Sequence, residues 1–241
     1  MIGFDDWEAP ELEEEMLDQL EGVECMSLEP ELWETPESEQ VLVLGNPFEV
    51  AGGLDDCQGD NLYGAEGNCG LVSVMNLLRL NGQEIDENEI VGRALETNPP
   101  LCVYYETDDP GAKGGTTVVQ RAELLQLYGI SSHYYFNQMP GGSLEQIASY
   151  VENGQGVNLS VNAGYLWDNV NFIDDGSSNH SIIVTGTARD PESGELQGLF
   201  VCDSGLTDQE SGAMYVSVEK LEDAYVRAPG ATVLVTDQPL R

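Results

Sequence analysis

Positive charge is what this sequence has least of: its 241 residues hold 8 Lys and Arg against 44 Asp and Glu, a formal charge of −36. A surface so acidic repels phosphate backbones and anionic lipid, so neither nucleic acid nor a membrane is expected as a partner. No apolar run approaches the ~20 residues of a membrane span. The opening stretch MIGFDDWEAPELEEE has neither a positive start nor an apolar core, so no classical secretion signal is read there. The expected location is the cytoplasm, or wherever a non-classical route or a larger parent chain delivers it. Cysteines 25, 57, 69, 102 and 202 form no CxxC pair, and their odd number leaves at least one thiol free. A zinc framework is therefore not expected, and no metal or other cofactor is implied. Histidine is scarce too, with only His133 and His180.

What is present suffices for a core, since 41% of the residues are hydrophobic. The length suits one folded domain plus an extension. Residues 1 to 60 hold 19 acidic side chains and no basic one, the first being Arg79. Residues 1–50 are read as an acidic extension and 51–241 as the folded domain. Within the extension Leu12, Met16 and Leu20 recur at helical spacing, compatible with a short amphipathic helix, while the composition equally suits a solvated, partly disordered tail. Such an arm could engage a basic protein partner or cover a groove in cis. VLVLG at 41–45 could add a strand.

From residue 68 the signals become regular. Asn68 precedes an apolar helix through about Leu80. Asp86 with Glu89, Thr117 with Gln120, and Ser143 with Gln146 announce three more helices by the capping-box pattern, Gly129 and Gly154 ending the last two. Strand-like runs follow: HYYF near 133, VNLSV near 157, SIIVTG at 181, GLFVCD at 198, AMYVSV at 213 and ATVLVT at 231, with a short helix around 218–226. Helices first and mostly adjoining strands afterwards predict an α+β domain, helices packed on a largely antiparallel sheet.

Cys69 falls on the first turn of the first of these helices, where unpaired N–H groups and the helix dipole favour a thiolate. A nucleophilic thiol needs a base. His133 stands in an aromatic strand-like run; His180 opens a strand after the polar loop IDDGSSN, where a ring at a sheet edge reaches substrate and solvent. The turn Asp190-Pro191-Glu192-Ser193 joins strand 180–186 to strand 198–203. A hairpin symmetric about the Pro191/Glu192 bond pairs positions summing to 383, which sets Asp203 opposite His180, and one residue of slip would part them to opposite faces. Asp203 would orient the imidazole, which deprotonates Cys69 and later protonates the leaving group.

Gly67-Asn68-Cys69-Gly70 with Ser73, NHSIIVTG and VCDSG together resemble the papain-like cysteine peptidases, in particular the bacterial double-glycine peptidase-like branch, over about residues 58 to 236. The resemblance implies a papain-like fold in which Cys69, His180 and Asp203 are nucleophile, base and orienting acid, acting on a peptide or protein substrate. The stretch from VNAGYLW to VTDQPLR is also similar to C-terminal catalytic modules of bacterial polymorphic toxins. One position departs: the oxyanion glutamine expected about six residues before the nucleophile is Tyr63, leaving Gln58, Asn61 or Asn68 as substitute donors. Tyr165, Trp167 and Phe172, in the loop before His180, are candidate substrate contacts. The same three residues could instead deamidate or cross-link glutamine, since these reactions share attack on a carboxamide. The third reading is an inactive papain-fold binding module.

Overall fold

The structure, a computed structural model, describes residues 30–54, 57–206 and 213–240. Leu12, Met16 and Leu20 lie outside the described residues. In chain order the elements are β1 (Glu31–Glu34), β2 (Gln40–Gly45), α1 (Pro47–Ala51), α2 (Cys69–Leu80), α3 (Glu87–Leu95), α4 (Val118–Leu127), β3 (Ser132–Phe136), α5 (Leu144–Glu152), β4 (Gln155–Val161), α6 (Ala163–Leu166), β5 (His180–Arg189), β6 (Leu196–Cys202), β7 (Met214–Ser217), α7 (Val218–Leu221), a π turn (Glu222–Val226) and β8 (Thr232–Pro239). Among the described residues no helix is long and apolar enough to cross a membrane.

The capping signals act where they were read. Asp86 accepts from Glu89 N, Thr117 and Gln120 close a reciprocal box, and Ser143 accepts from Gln146 N. Each satisfies a donor that the first helical turn cannot pair internally. Helix α2 is the exception: Asn68 stands at its cap but makes no side-chain bond to it.

All strand pairs are antiparallel. Strand β5 is the spine. On one edge it pairs with β6, which passes on to β7; on the other it pairs with β4 along 180–184 and with β2 along 186–189. From β4 the sheet continues through β8 to β3, and from β2 to β1. Both faces are covered, so β4 and β5 are buried along nearly their whole length rather than on alternate residues. On one face Val157, Leu159, Ile182, Val184 and Val233 pack with Ile147 and Ala148 of α5 and with Tyr225. On the other, Ile183, Cys202 and Leu234 meet α2, α3 and α4. Helix α2 is apolar nearly all round, as a helix enclosed on every side must be. Its fully buried Leu71, Met75, Leu77 and Leu78 each contribute about 1.5–3 kcal/mol of burial.

Two expectations are corrected here. The acidic extension does not run to residue 50: β1 and β2 belong to the sheet, and Val41 and Val43 bury against Ala188 and Phe200 under Trp33 and Tyr215. Alternating valines supply an inward face that outweighs the acidic composition around them. The β5–β6 register is also displaced. The Asp190 carboxylate accepts from Glu192 N, Ser193 N and Ser193 Oγ, and Asp190 N bonds Glu195 O while Gly194 closes the turn at φ +75°. That side-chain-built turn is centred one residue later than the Pro191/Glu192 bond. Val184 therefore faces Val201 and Ile183 faces Cys202, positions summing to 385.

Candidate active site

The site forms where the N-terminus of α2 meets the first residue of β5. Cys69 is the first residue of α2 and keeps part of its surface exposed. The glycines around it are dictated by packing. A methyl on Gly67 would collide with Gly111 O, and one on Gly70 with Thr116 Oγ1, so the loop before α4 presses directly on the turn that carries the thiol.

His180 and Asp203 meet although the anticipated register is wrong. Extending the observed pairing brings Asp203 level with Ile182, two residues from His180. A displacement of two keeps both side chains on one face, and a diagonal neighbour is within reach of an imidazole. His180 Nε2 lies 2.6 Å from Asp203 Oδ1. With Nε2 engaged by Asp203, Nδ1 is the ring nitrogen left to face the thiol, and His180 is the group that does most to lower Cys69. The expectation that His180 sits at a sheet edge is corrected: β5 is flanked on both sides, and the ring opens to the site only at the strand's end, 7% exposed.

Asp203 is fully buried and fully satisfied. Oδ1 also accepts from Gly205 N at 2.9 Å, and Oδ2 accepts from Trp167 Nε1 at 2.8 Å. Burial alone would raise its carboxyl, but the facing His180 and these donors hold it below the usual carboxylate range. Burial likewise works against the imidazolium, yet Asp203 and Cys69 lift His180 to about 10. For Cys69, burial pushes the thiol up and is outweighed by His180, by Arg121 and by the backbone N–H of Ser181, so it is lowered. Thiolate and imidazolium stabilise each other. Cys102, buried and near Glu106, is pushed the other way, to about 11.

The candidate substrate residues divide. Trp167 bonds Asp203 and lays its ring 5.0 Å from the His180 ring, so it shields and orients the pair rather than forming a free wall. A ring this close to an imidazolium also favours its charge. Tyr165 packs against the core. Phe172, edge-on to Trp167 at 5.2 Å and 47% exposed, retains a surface that a substrate can touch.

Among the oxyanion candidates, Asn61 has both amide hydrogens engaged, and Asn68 turns its amide to a buried carboxylate and keeps one. Both direct Nδ2 to Glu87 Oε1, at 2.8 and 2.6 Å, and Asn61 Nδ2 also bonds Ala65 O. Gln58 differs. Its backbone N bonds Ser204 O, Oε1 accepts from Ser204 Oγ, and Nε2 donates to Glu66 O at 2.7 Å. It thus bridges the segment after Asp203 and the segment leading into Cys69, with one Nε2 hydrogen still available.

Two residues of the site were not singled out from sequence. Glu87, buried, collects Gly59 N, Asn61 and Asn68 and so fixes the loop before Cys69. An acid on a first helical turn reads as a simple dipole complement, so nothing marked it. Arg121 is buried on α4, hydrogen-bonded to Ser160 and Ser181. Its signal was there: it lies three and four residues before Leu124 and Leu125, a cation on an apolar stripe. A shallow depression of about 440 Å³, lined by Arg79 and Gln83 among others, sits at the far end of α2 and contains none of these groups.

No protein-family model matches the chain, and no curated protein matches it. Among solved structures it is similar to one from Bacillus anthracis described as a "putative C39-like peptidase", with a TM-score of 0.48 and 16% identity over 71% of this chain and 90% of that one.

Proposed function

We propose that this chain is a cysteine-dependent hydrolase of papain-like type that cuts peptide bonds through an acyl-enzyme. The observation that carries the reading is the buried Asp203–His180 bond of 2.6 Å, with Cys69 on the first turn of α2 and its thiol lowered by that same His180. The Cys69 thiolate attacks the substrate carbonyl carbon, forming a C–S bond and a tetrahedral oxyanion. The His180 imidazolium gives its proton to the departing amine as the C–N bond breaks. Neutral His180 then takes a proton from water, whose oxygen attacks the thioester; the C–S bond breaks, releasing the acid and restoring the thiolate–imidazolium pair. Asp203 holds the ring in place and stabilises its charged form throughout. The Cys69 N–H, unpaired at a helix start, and Gln58 Nε2 are the donors we assign to the oxyanion.

Selective alkylation tests this. At neutral pH, iodoacetamide is expected to modify Cys69 at least about tenfold faster than Cys102, because only the thiolate reacts and the two thiols are shifted in opposite directions. Cys57, exposed, serves as the internal reference. Equal rates at Cys69 and Cys102 would refute the activated thiol and favour a binding module. Incubation with a peptide mixture then separates two chemistries: new termini report hydrolysis, whereas ammonia release without cleavage reports a glutamine deamidase.

The pH profile follows from the signs. Activity requires thiolate and imidazolium together. It is expected to appear below the ordinary thiol range, where depressed Cys69 is already ionised, to hold across neutrality, and to fall as His180 loses its proton near 10. Stability carries opposite limbs. The raised His180 contributes fully below its ordinary 6.5, and the contribution is lost as pH climbs through about 10; the depressed Cys69 contributes above its ordinary 9.0 and loses this as pH falls. A kcat/KM profile centred well above pH 10 would contradict the assignment.

A further inference from the structure

Among the described residues Arg121 is a cation in the interior with no acid paired to it. It is 4% exposed; Nη1 donates to Ser181 Oγ at 3.0 Å and Nη2 to Ser160 Oγ at 2.6 Å, while Nε has no acceptor. Among the described residues none of the ion pairs involves it. Its surroundings are neutral hydroxyls and amides: Ser160 meets Thr232 at 2.9 Å, and Ser181 Oγ donates to Ser73 and accepts from Asn158. These side chains form a polar layer on the face of the sheet that α2 covers, since Ser160 pairs with both Ser181 and Thr232 across β5, β4 and β8. Burying a guanidinium against hydroxyls alone is costly unless a negative charge lies nearby.

The adjacent Cys69, which Arg121 helps to lower, can supply it as a thiolate. A Cβ built on Gly70 would stand 3.2 Å from Arg121 Cδ and 3.3 Å from Nη1, so the guanidinium lies directly beneath the residue that follows Cys69. We propose that Arg121 is a positioning residue, a fixed counter-charge held under the first turn of α2 by Ser160 and Ser181, that keeps the Cys69 thiolate ionised in concert with His180. The inference rests on the reading of Cys69 as nucleophile and extends it. His180 becomes neutral when it protonates the leaving group, whereas Arg121 keeps its charge through the cycle and is present when the thiolate is regenerated. The electrostatics agree: Arg121 lowers Cys69, and Cys69 partly offsets the effect of burial that takes Arg121 down to about 10. The charged groups around the sulfur are His180 from β5, Arg121 from α4, Asp203 behind His180, and Glu87 from α3, which binds Asn68.

The test is the pH midpoint of Cys69 alkylation, followed by peptide-resolved mass spectrometry in wild type, Arg121→Met and Arg121→Lys, with circular dichroism to verify folding. Arg121→Met is expected to raise the midpoint by about one unit, hence about tenfold slower alkylation at pH below both midpoints, and Arg121→Lys to restore most of it. A depressed wild-type midpoint that Arg121→Met leaves in place overturns the role of Arg121 alone. An ordinary wild-type midpoint overturns the nucleophile reading, and this inference with it. Should Arg121→Met not fold, the wild-type Arg121 Nε–H resonance, assigned by its loss in Arg121→Lys, is followed against pH; it is expected to shift across the Cys69 midpoint, and a flat trace overturns the proposal.

Discussion

Asp203→Ala is expected to lower kcat/KM by about 10³ to 10⁴-fold and to destabilise the fold by about 3–5 kcal/mol, the usual cost of stranding one partner of a buried ion pair. The carboxylate is fully buried and serves three donors at once: His180 Nε2 and Gly205 N on Oδ1, and Trp167 Nε1 on Oδ2. Removing it leaves the His180 ring with no orienting acceptor, drops its affinity for a proton, and so removes the charge that ionises Cys69. Asp203→Asn separates these roles. Its single oxygen can keep the bond to His180, but the amide nitrogen then faces the Trp167 donor and that bond is lost. The asparagine variant is expected to fall between alanine and wild type in both turnover and denaturant midpoint. Activity unchanged in Asp203→Ala would show that the imidazole is positioned by something else, and the proposed triad would be wrong.

Cys69→Ala is expected to be more severe for chemistry and milder for the fold. Loss of a nucleophile costs about 10⁶ in kcat in enzymes whose residues act as a unit, and what remains is binding and oxyanion stabilisation. The structural change is small, because a partly exposed thiol is replaced by a good helix former on the first turn of α2. Circular dichroism should therefore superpose on wild type while peptide cleavage disappears. Cys57 provides the counter-test. It is an exposed cysteine one residue before Gln58, so turnover within tenfold of wild type in Cys69→Ala would move the nucleophile there and dismantle the site described.

Most of the helical framework was readable because its signals are local. Asp86, Thr117 and Ser143 each bond a backbone N–H three residues on, an interaction that needs no tertiary partner. The strands other than β1 were readable from their apolar runs, Val41 and Val43 suggesting β2 even inside the acidic segment, whereas ELWE at β1 has no such run. Asn68 shows the limit of such reading. It has the right identity and place for a cap, yet its amide goes to Glu87, nineteen residues away, because a buried carboxylate competes for it. The pairing of His180 with Asp203 succeeded with the wrong arithmetic. The turn is built by the Asp190 side chain, and the resulting shift of two residues, unlike a shift of one, preserves the face. Trp167, read as a substrate wall, became a cover for the acid because its indole N–H found a lone pair on Asp203.

Residue identity and local pattern already marked the atoms that could take part: one thiol at a helix start, two histidines of which one opens an apolar strand, and an acid at the end of the next strand. Those facts depend on residue identity and local periodicity. What surrounds them depends on the closed fold, namely that Arg121 packs against Gly70, that Glu87 fixes the loop before Cys69, and that both amide hydrogens of Asn61 are engaged while Gln58 and Asn68 each spend one. These contacts join residues tens of positions apart, and the competition among buried donors and acceptors for partners is settled only when the chain closes around them.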